Sequence, residues 1–387
     1  MIILLSVTFM SKQSIWNFQI PTRIIFGEGC LDQIGKITTE FGAKKALIIT
    51  GRKAMRQHGV IDRMINLLEP IEAHSFEEVE PNPSFETIEN AIRVFKEQNC
   101  DIVIGLGGGS PLDVAKVVAA LSKKEKTIAE FFIPPIKIES KDFPMIAVPS
   151  TSGTGSEATP FSVATDAKKR VKKVATHHLL FPETSLVDPS ICKTMPKDVI
   201  AQTGLDAISH AIEAYWAKRA QPITDTIALD ALRHIFTNFR IAYQDSENSI
   251  ARSEMALGSL EGGMALSNTF ATASHAISFP LTAKYDIPHG LAVALTLPLF
   301  LEFNAPSIPI KISGLLNVMN VKSIKEASKF LTKLMKDIGQ PTRLSELGVG
   351  KDDIPWIIEN GFTPSRVANN PREVKAKDVE DILMEIL

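Results

Sequence analysis

Ile102-Val103-Ile104-Gly105-Leu106-Gly107-Gly108-Gly109-Ser110-Pro111-Leu112-Asp113 decides the fold. A short β-branched run passes straight into three consecutive glycines. Ser110 then reads as the cap of a helix whose first turn holds Pro111 and which runs to about Leu121. Glycines let a backbone approach a pyrophosphate, and a helix start offers free N–H groups and a positive dipole end. A ligand-free strand-to-helix turn has the same composition, and the motif departs from the usual dinucleotide fingerprint.

Outward from this stretch, strands alternate with helical patterns. Ala46–Thr50, Ala73–Val79, Ile102–Gly105, Met145–Pro149 and Ser185–Asp188 read as strands, with helices over about 29–41, 53–68, 84–98 and 111–121 between them. That alternation predicts βαβ units, a mainly parallel sheet, and all strand C-termini on one edge. After Pro189 the strand signals stop. Segments with 3.6-residue periodicity follow at about 197–219, 222–243, 249–283, 290–304 and 323–338. The expectation is an α/β dinucleotide-binding domain over 1–188 and an all-α metal and substrate domain over 189–387. A length of 387 residues suits two domains.

Composition narrows the function. Hydrophobic residues are 44 % and charged residues 22 %, which excludes a disordered chain, and a net charge of −2 argues against a nucleic-acid partner. Cys30, Cys100 and Cys192 form neither a metal pair nor an even disulfide set, so a cytoplasmic setting is expected. The opening Met1–Met10 is apolar without a basic flank or a cleavage pattern. It reads as an extra N-terminus with Met10 as the natural start, and no membrane association is expected.

Three further groups carry chemistry. Pro149-Ser150-Thr151-Ser152-Gly153-Thr154-Gly155-Ser156-Glu157 sets a dense hydroxyl and glycine loop at a strand end, suited to phosphate, ribose or carboxamide groups, though also to a solvated turn. Of eight histidines, His58, His74, His177, His178 and His234 need only ordinary packing. His210 lies four residues after Asp206 on one predicted helix face; His275 lies in a small-residue helix, and His289 where a loop meets a helix. One carboxylate and three imidazoles suit Fe²⁺ or Zn²⁺ with a position left for substrate, although Asp–His pairs at this spacing also arise as simple helix contacts. The third group is the strand end at Gly51, followed by Arg52, Lys53 and Arg56.

Taken together, Gly107–Ser110, Ser150–Glu157, Gly204-Leu205-Asp206-Ala207-Ile208-Ser209-His210-Ala211-Ile212-Glu213, Ser274–Leu281 and Pro288-His289-Gly290 resemble the iron-containing, group III alcohol dehydrogenases with a dehydroquinate-synthase-like fold. The resemblance runs from about Trp16 to Leu387. It implies that Asp206, His210, His275 and His289 are the metal ligands through which catalysis runs. It places Gly107, Gly108, Gly109, Ser110 and Asp113 at the pyrophosphate, and Thr151, Thr154 and Ser156 near the nicotinamide. Val163 and Lys172 become further cofactor contacts, and Phe161, Leu266 and Phe279 line the substrate pocket. Many members carry a histidine where Phe279 stands, so a relay there is absent and the general base stays unassigned. NAD-preferring relatives typically end the second strand on an aspartate. Gly51 leaves room for a 2′-phosphate and Arg52 or Lys53 a charge to pair with it, so NADP is expected, with NAD the alternative.

The resulting expectation is hydride transfer between NADP(H) and a small primary alcohol or aldehyde, in a homodimer or higher homo-oligomer. Apolar Phe161, Leu266 and Phe279 point to unbranched apolar substrates over polyols. A polyol dehydrogenase of the glycerol type and a cyclising lyase of the dehydroquinate synthase type are the alternatives on this fold. The lyase would want Lys and Arg beside the metal, and around 206–213 and 266–290 the sequence offers only Lys284. A non-catalytic nucleotide-binding protein conflicts with four intact ligand positions.

Overall fold

A computed structural model describes residues 15–124, 127–134, 137–167 and 171–387; the opening stretch Met1–Met10 lies outside the described residues. Six strands form a parallel sheet: β1 (Arg23–Phe26), β2 (Lys45–Gly51), β3 (Glu72–Val79), β4 (Ile102–Gly107), β5 (Met145–Pro149) and β8 (Thr184–Val187). Their order is β1-β8-β5-β4-β2-β3. Alternate residues feed opposite faces. Leu47, Ile49, Val103, Met145 and Ala147 pack on α4 (Phe85–Glu97) and α5 (Gly109–Leu121). Ala46, Ile48, Ile102, Ile104 and Val148 pack on α1 (Ile34–Glu40) and α3 (Val60–Leu68). Short α2 (Ala54–Gln57) and α6 (Ile128–Phe131) complete the helices of this half.

The order of the strands matters for ligands. From β2 the chain moves outward to β3, and from β4 it moves the opposite way to β5. The crevice beyond the ends of β2 and β4 is therefore a topological switch point, where open parallel sheets bind ligands. Gly51 and Gly107 end those two strands.

An antiparallel hairpin, β6 (Phe161–Asp166) with β7 (Val171–Thr176), was not foreseen in the sequence. Past Val187 the chain is helical: α7 (Lys197–Trp216), α8 (Pro222–Gln244), α9 (Ser249–Thr269), α10 (Ala273–Tyr285), α11 (His289–Asn304), α12 (Pro309–Met319), α13 (Ile324–Asp337), α14 (Ile354–Gly361), α15 (Pro364–Asn369) and α16 (Ala376–Glu385). The alanine-rich α7 is buried nearly all round because α8, α9 and α11 surround it. The segment 289–307 is long and apolar enough to span a membrane by composition, and it is two-thirds buried within the protein, as a core helix.

The expected single helix over 249–283 is a correction. It breaks after Thr269, and Phe270 takes φ 63° and ψ 160°. No Gly or Pro marks the break in the sequence. The break is made by tertiary contacts: the Asn369 amide donates to the carbonyls of Thr269, Phe270 and Ala271 at 2.9, 3.1 and 3.1 Å.

Candidate active site

The glycine loop is shaped by close approach. Gly107 has φ +147°, and a Cβ there would lie 2.7 Å from the Pro111 ring. Ser150 N–H donates to the Gly107 carbonyl at 2.9 Å, and Gly108 and Gly109 face the side chains of Thr151 and Thr154. The two loops thus interlock at neighbouring strand ends. The expectation that Ser110 caps the helix is corrected: α5 begins at Gly109 with Gly108 as its cap residue and no side-chain cap. The helix therefore begins two residues earlier than expected, with a glycine at its first position. Ser110 instead accepts from Asn82 N–H at 3.3 Å.

Asp113 braces the loops. Its Oδ1 accepts from Ser156 Oγ at 2.7 Å and its Oδ2 from Val163 N–H at 2.9 Å. Lys116, absent from the sequence-based candidates, is fully buried beside it and donates to Ser156 Oγ, Thr159 Oγ1 and the Phe161 carbonyl at 2.7, 3.2 and 2.7 Å. Burial pulls the Lys116 ammonium down to about 8, against the pull of Asp113, and pushes the Asp113 carboxyl up. An i,i+3 Asp–Lys pair inside an apolar helix was the available sequence signal.

The helical half brings Asp206, His210 and His275 together, all buried, with His289 on the cleft side. The Nε2 atoms of His210, His289 and His275 lie 3.6, 3.8 and 3.9 Å from Asp206 Oδ1. Each imidazole is turned that way by its other nitrogen. His210 Nδ1 donates to the Gly153 carbonyl at 3.3 Å, and His275 Nδ1 donates to Glu213. Ser278 Oγ, already donating to the His275 carbonyl at 2.9 Å, accepts from His289 Nδ1 at 3.4 Å. Gly290 makes room for this: a Cβ there would lie 1.9 Å from the Gln202 carbonyl oxygen and 2.9 Å from Asp206 Cβ.

The donor set fits a divalent ion. Asp206 Oδ1 and His275 Nε2 are buried without any hydrogen-bond partner, a costly arrangement unless something sits between them. With bonds of about 2.0–2.2 Å, a tetrahedral site has ligand–ligand edges of about 3.3–3.6 Å, close to the separations seen here. Burial holds the His210 and His289 imidazoles below their ordinary value, which keeps them neutral and able to bind a cation; Lys172 adds to this at His289.

Glu213, quoted in the motif but not assigned a role, is the main residue missed. It lies seven positions after Asp206 on the same face of α7 and is fully buried. Beyond His275 Nδ1, it accepts from Thr272 Oγ1 at 2.6 Å, Thr272 N–H at 3.2 Å and Ser274 N–H at 3.0 Å, so it caps α10. Burial alone would raise its carboxyl, but His275 and Thr272 hold it below the usual range.

A cleft of about 280 Å³ joins the two halves. Its wall includes Gly109, Ser110, Asp113, Thr154, Ser156, Val163 and Lys172 on one side and Asp206, His210 and His289 on the other, with Phe161 and Phe279 between. Leu266 is buried in α9 away from that wall. Gly51 and Arg52 stand outside it at the next strand end, where Arg52 Nε donates to the Glu78 carbonyl at 3.3 Å. Arg56 is committed to Asp62 and Glu77. A second group, Asp230, His234 and Glu261, also comes within range of one ion. Arg233 already supplies positive charge there, meeting His234 Nε2 at 2.8 Å and Asp230 Oδ1 at 2.7 Å.

Two family descriptions match nearly the whole length: "Iron-containing alcohol dehydrogenase" over residues 21–189 and "Fe-containing alcohol dehydrogenase family, C-terminal" over residues 200–387. The chain is 32 % identical to a 1,3-propanediol dehydrogenase of Klebsiella pneumoniae, covering 95 % of this chain and 97 % of that one. It is also 32 % identical to an NADPH-dependent butanol dehydrogenase of Clostridium saccharobutylicum, covering 95 % and 96 %. The crystal structure of a 1,3-propanediol oxidoreductase superposes with a TM-score of 0.92 at 32 % identity, over 97 % of this chain and 100 % of that one.

Proposed function

The chain belongs to the iron-containing alcohol dehydrogenase family and is a metal-dependent alcohol dehydrogenase or aldehyde reductase; from that premise we propose how its residues divide the work. Asp206, His210, His275 and His289 would hold the metal, Fe²⁺ first and Zn²⁺ as the alternative. One observation carries this reading: three imidazole nitrogens aim at a single buried carboxylate oxygen that has no partner. A bound divalent ion supplies Lewis-acid polarisation of a carbonyl oxygen. A nicotinamide cofactor supplies or accepts the hydride.

The protein's own residues position these partners. Gly107–Ser110 and the open first turn of α5 offer N–H groups to phosphate oxygens, and the interlocked Thr151 and Thr154 hold that loop in shape. Asp113 keeps Ser156 and Val163 at the cleft wall by bonding both. Lys172 reaches the cleft from β7, and Phe161 and Phe279 exclude water between the cofactor side and the metal side. Glu213 holds His275 in the tautomer that leaves Nε2 free for the ion. A division near residue 188 follows the change from strands to helices.

The finer cofactor reading is NADP(H). Both NAD- and NADPH-dependent enzymes stand among the relatives, so the choice rests on this chain's own strand end. Gly51 places no carboxylate beside the switch-point crevice, and Arg52 and Lys53 are exposed without acidic partners among the described residues. A charge-assisted contact to a 2′-phosphate is worth about 1.5–3 kcal/mol, or about ten- to a hundredfold. The test compares kcat/KM for the two cofactors. NADPH should lead, and Gly51→Asp, which meets only ordinary contact with the Val79 carbonyl at 3.6 Å, should move the preference toward NADH. An enzyme that favours NADH as isolated contradicts the reading.

We read the working form as a cytoplasmic homodimer or higher homo-oligomer. The compartment rests on three unpaired cysteines, all buried, whose thiols burial pushes up to about 12.

A further inference from the structure

Phe270 holds a backbone conformation that glycine adopts freely and a bulky side chain resists. It ends α9 with φ 63° and ψ 160°. Contacts fix it there on both sides. Its N–H donates to the Leu266 carbonyl at 2.8 Å, and its own carbonyl accepts from the Asn369 amide at 3.1 Å. A strained residue so firmly held directs attention to what its ring touches.

The ring is packed on two sides. Its centroid lies 5.4 Å from that of Phe161 with the planes 52° apart, and the Arg219 guanidinium carbon lies 4.6 Å from it. Phe161 lines the cleft between the cofactor side and the metal side; Phe270 is not among the described lining residues, so it meets Phe161 from outside. Arg219 is exposed and covers the Phe270 ring toward solvent. The main chain of Phe161 is fixed separately, by its place opposite Thr176 in the hairpin and by the buried Lys116, which donates to its carbonyl at 2.7 Å. The freedom left to Phe161 is rotation of its ring, and Phe270 occupies space on the ring's outer side. A ring packed in this way yields to a bulkier ligand only by disturbing its neighbours.

We propose that Phe270 is a positioning residue for substrate selection: it holds the Phe161 ring at the cleft as an unyielding wall, so that aldehydes unbranched beside the carbonyl are favoured over branched ones. This rests on the alcohol dehydrogenase reading and assigns what sets the width of that site. The selection acts beside the carbonyl because Phe161 stands between the two sides that would hold nicotinamide and metal. Phe270 itself touches neither substrate nor cofactor.

The test uses two isomeric aldehydes, butanal and 2-methylpropanal, with the metal-loaded enzyme and both reduced nicotinamides. In the wild type butanal should lead by about tenfold or more in kcat/KM. Phe270→Gly removes the ring and relieves the backbone, which favours folding, and should bring that ratio within about threefold. Phe270→Ala removes the same ring but keeps a side chain in the strained conformation, and should give the same fall. A merely structural role would lower the active fraction for both isomers alike and leave the ratio unmoved. An unchanged ratio in Phe270→Gly overturns the proposal. So does a fall in Phe270→Gly that a folded Phe270→Ala does not share, because the backbone would then be its cause; if Phe270→Ala does not fold, Phe270→Gly alone decides. A wild type that takes both isomers equally overturns the proposal and leaves the alcohol dehydrogenase reading standing. Reduction of neither isomer, nor of any simple aldehyde, with either nicotinamide overturns both.

Discussion

Glu213 shows how one side chain can orient an imidazole and cap a helix at once. Its carboxylate fixes His275 Nδ1 as a donor and caps α10 through Thr272 and Ser274. Replacing it with glutamine keeps the shape but loses the charge that stabilises the imidazole as a ligand. Glu213→Gln should therefore weaken metal affinity by about ten- to a hundredfold, measured by competition with a chelator, while the protein stays folded. Unchanged affinity would remove Glu213 from the site. At this scale the sequence was informative where spacing was local: Asp206 and His210 share a helix face, and His289 follows Pro288. It was silent about Glu213 acting on a residue sixty-two positions away, and about Arg366 reaching Phe279 from near the C-terminus. The elimination of nearby cations failed for the same reason. Lys284 faces Asp353 at the surface, while Lys172 and Arg366 supply the charge near the site.

At the scale of elements, five of the six strands of the main sheet and the four helical patterns between them were legible because both faces of a parallel sheet need continuous apolar runs. The α9–α10 break was hidden because its cause is Asn369, a hundred residues downstream. Asn369→Ala leaves three carbonyls without a donor and frees the strained Phe270, so it should cost about 1–3 kcal/mol in a denaturant titration. It should also lower metal affinity, since α10 carries His275. A loss no larger than that of an exposed Asn→Ala control would show that the turn holds itself. The hairpin β6–β7 escaped notice because its strands are only partly buried and β7 carries Lys172 and Lys173.

Between β5 and β6, Glu157 is buried and burial pushes its carboxyl up to about 7, partly opposed by a backbone N–H and by Lys116. A raised carboxyl favours the protonated folded form. That stabilisation is complete below the unfolded value of about 4.5 and is lost as the pH rises through about 7. Glu157→Gln should match the wild type near pH 4 and exceed it by about 3 kcal/mol at pH 8. A variant that is less stable at pH 8 would mean that the buried charge is well compensated.

The whole molecule places two kinds of chemistry against one cleft: a parallel sheet presents its loop edge, and α7, α10 and α11 carry the aspartate and the three histidines proposed to hold the metal. The fold class could be read from the change of periodicity near Pro189, and the site only from the family motifs, because no local pattern states that the two halves meet. The central claim is that this cleft reduces aldehydes only when Asp206 and the three histidines hold a divalent metal. Chelator-stripped enzyme should lose aldehyde-dependent oxidation of the reduced nicotinamide and regain it on stoichiometric Fe²⁺ or Zn²⁺. Asp206→Ala treated in the same way should stay inactive and retain no metal. Full turnover by the stripped wild type, or normal metal content and activity in Asp206→Ala, would contradict the account.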